Sequence, residues 1–129
     1  MSSQEIGGAF STFGESYTHD GSEIKSNFLY CTPGSSLDEL INFYKIEKPK
    51  YLKIDVDGIE HLIIEGATET LSQVNSILIE INDSFKLQEK KIKEKLIHKG
   101  FELSKKIQST FSSNPELKNT YNQIWVKKK

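Results

Sequence analysis

The chain has 129 residues, of which 27% are charged and 36% hydrophobic, and its formal net charge is -1. That length supports one layered core and not two. The near-neutral balance argues against nucleic acid as the main partner, because neutralising phosphates takes a basic excess. All 17 basic residues are lysine, so a bidentate guanidinium clamp is excluded and any anion site must use lysine, backbone amides or helix N-termini.

Cys31 is the single cysteine, which excludes an internal disulfide and a thiolate metal cluster. No apolar run reaches membrane-spanning length, and Met1-Ser2-Ser3-Gln4-Glu5 lacks the charged start and apolar core of a signal peptide. The expectation is a cytoplasmic protein that engages neither membrane nor nucleic acid. The tail Lys127-Lys128-Lys129 reads as a solvated end.

Residues 1–35 are rich in Ser, Thr and Gly, with turn signals at Gly7-Gly8, Gly14, Asp20-Gly21 and Pro33-Gly34. They read as an irregular N-terminal segment in which residues 9–13 and 27–31 are candidates for a short hairpin. His19, His61 and His98 show no metal-ligand spacing, and each reads as a lone surface histidine. Residues 36–129 carry the regular elements. Ser36 and Glu39 have capping-box spacing and predict a helix that buries Leu37, Leu40, Ile41 and Tyr44. Pro49 blocks continuation and leads into an extended run, Tyr51-Leu52-Lys53-Ile54.

That run is followed at once by Asp55-Val56-Asp57-Gly58-Ile59-Glu60, so a strand delivers three carboxylates to the edge of a sheet, where ligands bind in open α/β folds. Beyond Gly58, Ile59, Leu62, Ile63, Ala67 and Leu71 recur at helical spacing. The predicted helix carries Gly66 in its middle, a cost of about 1 kcal/mol relative to alanine that close packing on the sheet would explain. Asp57 and Glu60 also have the spacing of a capping box, so a cap and a ligand-binding role both fit this pair. Asp55, near the end of a buried strand, must be hydrogen-bonded or functional.

Ser76-Ile77-Leu78-Ile79-Glu80-Ile81 is a second strand, whose near-continuous apolar run suits a parallel strand covered on both faces. A right-handed crossover between the two strands brings Asp55 to the same rim as Glu80, Asn82 and Asp83. Asp83 or Ser84 fits equally as the cap of the next helix. That helix is predicted from about residue 85 to 99, with Phe85, Ile92 and Leu96 inward and Gly100 as its left-handed stop. Phe101-Glu102-Leu103 and the run from Tyr121 to Val126 read as antiparallel neighbours, with Trp125 in the core.

Ser36-Leu37-Asp38-Glu39-Leu40, Tyr51 through Glu60, Ile63-Ile64-Glu65-Gly66-Ala67 and Ile77 through Asn82 together resemble the C-terminal half of FkbM family methyltransferases, most specifically from Lys53 to Glu60. The family usually has Glu where Asp57 stands. The resemblance covers roughly Ser36 to Val126 and implies an α/β, Rossmann-like class I fold, of which this chain would hold strands four to seven with an antiparallel C-terminal pair. It also implies S-adenosylmethionine as cofactor and methyl transfer to a hydroxyl oxygen of a small molecule or sugar. On this reading Asp55 is the catalytic acid beside the reacting methyl, alone or through a divalent ion, and Asp57, Glu60, Glu80 and Asn82 bind substrate. The glycine-rich turn and second-strand acid that hold the cofactor in such folds have no match in the sequence. The chain would then be part of a larger or truncated enzyme, with Tyr51 to Val56 an open edge available for pairing, including pairing between copies.

Two other function classes share features with the sequence. Asp55-Val56-Asp57-Gly58 after an apolar strand resembles the haloacid dehalogenase-like phosphatases, although Ile59 stands where those carry Thr or Val and no later acidic pair follows. A non-catalytic assembly module that pairs through its exposed edge is the other. A calcium loop fits poorly, since the oxygen ligands and glycine lack the required spacing.

Overall fold

The computed structural model describes residues 12–24, 30–108 and 118–128. The elements run α1 (Leu37–Tyr44), β1 (Tyr51–Ile54), α2 (Glu60–Glu65), α3 (Thr70–Gln73), β2 (Ser76–Asn82), α4 (Lys86–His98), β3 (Phe101–Gln108) and β4 (Thr120–Lys127). The strands form one mixed sheet in the order β1-β2-β4-β3. β1 and β2 are parallel, joined across α2 and α3, while β4 lies antiparallel between β2 and β3. Helical patterning between the first two strands and its absence between the last two set this arrangement. Among the described residues no helix is long and apolar enough to cross a membrane.

The core lies on one face of the sheet. Alternation along β2 sends Ile77, Ile79 and Ile81 inward against Ile64, Ala67, Leu71, Ile92 and Leu96, all at most 1% exposed. Trp125, opposite Ile77, is buried there as expected, and its indole N–H donates to Gln123 Oε1 at 3.0 Å. The opposite face is different. Ser76, Leu78 and Glu80 are half-buried, and Tyr51 at the rim is 73% exposed. β2 is therefore covered on one face only among the described residues, and it has an antiparallel neighbour, so its apolar run does not mark a strand within an all-parallel sheet.

Three local expectations change. α1 begins with the capping box on Ser36 and Glu39, yet of its four predicted core residues only Ile41 is buried. Leu40 and Tyr44 are exposed, because the last turn of α1 has no packing layer over it among the described residues. The helix after Gly58 is two short helices, α2 and α3, and Gly66 ends α2 instead of sitting inside a longer one. A Cβ there would come within 3.0 Å of Ser36 Cβ, and Gly66 O accepts from Asp38 N at 3.1 Å. The close approach is thus to the start of α1 and not to the sheet.

Asp38 explains the break. Its carboxylate accepts from Glu69 N at 2.8 Å, Thr70 N at 2.9 Å and Thr70 Oγ1 at 2.6 Å, capping α3 from a neighbouring helix. Burial pushes its pKa up, but the bonds from Thr70 and Glu69 outweigh that and hold it below the ordinary 3.8. With a lowered folded-state pKa, its stabilising contribution is present above the ordinary carboxyl range and fades as pH falls below it. Asp38→Ala is expected to cost about 2–3 kcal/mol, measured by urea unfolding at neutral pH, since three donors lose their acceptor at once.

The hairpin candidate at residues 9–13 and 27–31 lies largely outside the described residues. Within 12–24 there is a single antiparallel bridge, Tyr17 to Glu23. α4 starts and stops close to where its pattern predicts, with Phe85, Ile92 and Leu96 buried and Gly100 at φ 81°.

Candidate functional site

The register Ile54↔Ile79 sets Asp55, the first residue past β1, beside Glu80, while β2 continues to Asn82. This is the convergence expected from the sequence. Burial raises the Glu80 pKa, and the nearby Asp55 and Asp57 carboxylates raise it further against the opposing charges of Lys53 and His19. Three acids therefore share one field. Asp55 itself is partly exposed and pairs with Lys53 Nζ at 2.7 Å, so its charge is met by salt bridge and solvent and not buried.

Glu60 takes a different place from the one its spacing proposed. α2 begins at Glu60 with Ile59 in the cap position and no side-chain cap bond, so Asp57 and Glu60 do not form a capping box. The Glu60 carboxylate instead lies beneath the rim at 3% exposure, where Oε2 accepts from Gln88 Nε2 at 2.5 Å and Oε1 meets Gly58 N at a long 3.5 Å. Burial pushes its pKa up to about 7, more than these bonds and the Asp57 charge offset or add. A carboxyl that titrates near neutrality can take up or release a proton at working pH.

The turn after β2 also differs from its sequence reading. Asn82 is buried and its Oδ1 accepts from Ser84 N at 2.9 Å, fixing the turn. Neither Asp83 nor Ser84 caps α4, whose N-cap is Phe85 without a side-chain bond. Asp83 pairs with Lys106 Nζ at 2.7 Å, on the side of the sheet toward Tyr121.

Between these groups is a narrow polar notch of about 20 Å³, bounded by Val56, Asp57, Glu60 and Glu80 on one side and by His19, Asn82, Gln88 and Thr120 on the other. Four of the five proposed site residues line it; Asp55 stands at the rim above. Three polar lining residues escaped sequence reasoning. Gln88 is a polar residue in register with Ile92 and Leu96 on the buried stripe of α4, and that spacing was the available signal. Thr120 pairs across the sheet with Asn82, a register visible only once β4 is placed beside β2. His19 comes from the N-terminal segment, far away in sequence.

That segment is held by contacts no pattern announced. Gly58 has φ 96°, and a Cβ on it would lie 2.7 Å from Thr18 O and 2.9 Å from His19 Cα. His61 is buried at 2% and not a surface histidine: Nε2 meets Tyr17 Oη at 3.3 Å, and both rings pack on Phe85. Burial, assisted by Lys91, lowers its pKa below the ordinary 6.5 and so favours the neutral imidazole. Asp20 closes the loop, accepting from Ser22 N at 3.0 Å and from the Thr18 and Ser22 hydroxyls, bonds that hold its pKa down at about 2.

Among the described residues no three His, Cys, Asp or Glu side chains are arranged to hold a metal ion, so the divalent-ion route for Asp55 lacks a donor set there. The strand-to-helix turns after β1 and β2 carry carboxylates and no glycine-rich run.

Residues 9–109 match the methyltransferase FkbM domain, a span that includes the N-terminal loop packed on Gly58 as well as the rim. Hexuronic acid methyltransferase AglP of Haloferax volcanii is 38% identical over 45 residues, which are 35% of this chain and 19% of that protein. The match thus spans about a fifth of that relative's length. No solved structure matches with significance. The family match displaces the phosphatase and calcium-loop readings of Asp55-Val56-Asp57-Gly58, and with well over half of its residues matched, the chain belongs to the FkbM methyltransferase domain family.

Proposed function

We propose that this chain forms the acceptor wall of a methyl-transfer cleft, in which S-adenosylmethionine supplies the methyl group when bound and a hydroxyl oxygen receives it. The supporting observation is the meeting of Asp55, Asp57, Glu60 and Glu80 at the shared C-terminal rim of β1 and β2 in a chain of this family. Asp55, exposed at the rim, orients the acceptor hydroxyl and takes its proton; Asp57, Glu60, Glu80 and Asn82 hold the rest of the acceptor from below. The acceptor is a small molecule or sugar. The order β1-β2-β4-β3 with β4 antiparallel is what strands four, five, seven and six of a class I methyltransferase sheet would give.

The cofactor wall lies outside these residues on this reading. β1 is an edge strand, and the sheet face bearing Tyr51, Leu78 and Ile124 has no helix over it among the described residues. A further parallel strand on β1, from another segment or a second copy of the chain, would complete both. The test is Asp55→Asn in the transfer-competent protein. Loss of a positioned proton acceptor is expected to lower turnover about 100-fold or more with little change in fold, and undiminished turnover would remove Asp55 from the chemistry.

A further inference from the structure

Thr120 opens β4 at 3% exposure, and its hydroxyl has no hydrogen-bond partner among the described residues although it borders the notch. A buried hydroxyl without a partner is costly, and beside a cleft its bonding is completed by a water or by a ligand group that displaces it. The groups around it are mainly acceptors. Glu60, Glu80 and Asp57 line the same notch, and the Gln88 amide beside them already donates to Glu60 at 2.5 Å. The neighbouring lysines are engaged elsewhere, Lys53 with Asp55 at 2.7 Å and Lys106 with Asp83 at 2.7 Å. The chain also has no arginine to offset the acids.

We propose that this notch is an acceptor subsite that takes one hydrogen-bond-donating group, a hydroxyl or an amino group, from an acceptor carrying no negative charge at that position, with Thr120 as a specificity-determining residue. The proposal rests on the acceptor-wall reading above and deepens it. Its size admits a single such group. A carboxylate or phosphate there would face the carboxylates of Asp57, Glu60 and Glu80 with the His19 imidazole as the one group of opposite sign lining the notch among the described residues, a like-charge arrangement that disfavours an anionic ligand.

The experiment is an NMR titration of the full chain at pH 8 with three probes of one size: methyl glucoside, glucosamine and glucuronate. The glucoside and glucosamine are expected to shift the Thr120 backbone amide and the Gln88 side-chain amide, with glucuronate at least ten times weaker. Thr120→Val should weaken the glucoside about tenfold while leaving the thermal midpoint unchanged or higher, since it removes an unpartnered polar group from the interior. Glucuronate binding as tightly as the glucoside, no shift at either residue with any probe, or affinity unaffected by Thr120→Val would each overturn the subsite. Sugar binding at the notch in a protein that transfers no methyl group would instead sink the methyl-transfer reading and leave the subsite standing.

Discussion

Glu60→Gln is expected to stabilise the protein by about 3 kcal/mol at pH 8 and by little at pH 4.5, read from urea midpoints of the two proteins across that range. Glu60 is buried at 3% and its pKa is pushed up to about 7 from the ordinary 4.5, so the fold favours its protonated form. A raised carboxyl pKa contributes stability fully below the unfolded value and loses it as pH rises through the folded one; a rise of about 2.5 pH units corresponds to about 3 kcal/mol. The window is therefore pH 4.5 to 7. Glutamine keeps an oxygen for the Gln88 amide and cannot ionise, so the variant lacks this slope. Glu80 shifts in the same direction and His61 and Asp38 in the opposite one, which is why the difference between wild type and variant, and not the wild-type curve alone, isolates Glu60. A difference that does not change with pH would mean that folding does not raise the Glu60 pKa.

Gly58→Ala is expected to cost about 3 kcal/mol in urea unfolding and to weaken acceptor binding. The backbone there has φ 96°, a conformation that costs an L-residue about 1–2 kcal/mol. Forcing a methyl group 2.7 Å from Thr18 O adds a packing term of about 1–3 kcal/mol, because the obstacle is backbone and not a flexible side chain. Relief requires the Thr18–His19 segment to move away, which withdraws His19 from the notch. A chain as stable as wild type, with His19 chemical shifts unchanged, would contradict this account of how the loop is seated.

The rim was legible from residue order because two short-range signals agree on it: an apolar run ending in acids, and a helical pattern joining it to a second such run. Parallel pairing then puts Asp55 beside Glu80 without further information. The notch beneath was not legible in the same way. Glu60 has the spacing of a capping partner, and only the helix start at Glu60 itself, two residues later than Asp57 would cap, turns its carboxylate inward. Thr120 and His19 reach the site through long-range register and loop packing, which local periodicity does not encode. His61 and Leu40 show the converse error. A histidine without ligand spacing can still be core when Tyr17 and Phe85 close over it. An apolar helical stripe such as that of α1 is buried only where another element covers it, and its last turn lacks one among the described residues.

The division of the cleft is the central claim, and calorimetric titration of this purified 129-residue chain with S-adenosylmethionine tests it most directly. The proposed division predicts no binding in the micromolar range, because among the described residues the turns after β1 and β2 carry no glycine-rich run to hold the cofactor. Micromolar affinity would contradict it and would mean that a complete cofactor site assembles within this chain or between its copies.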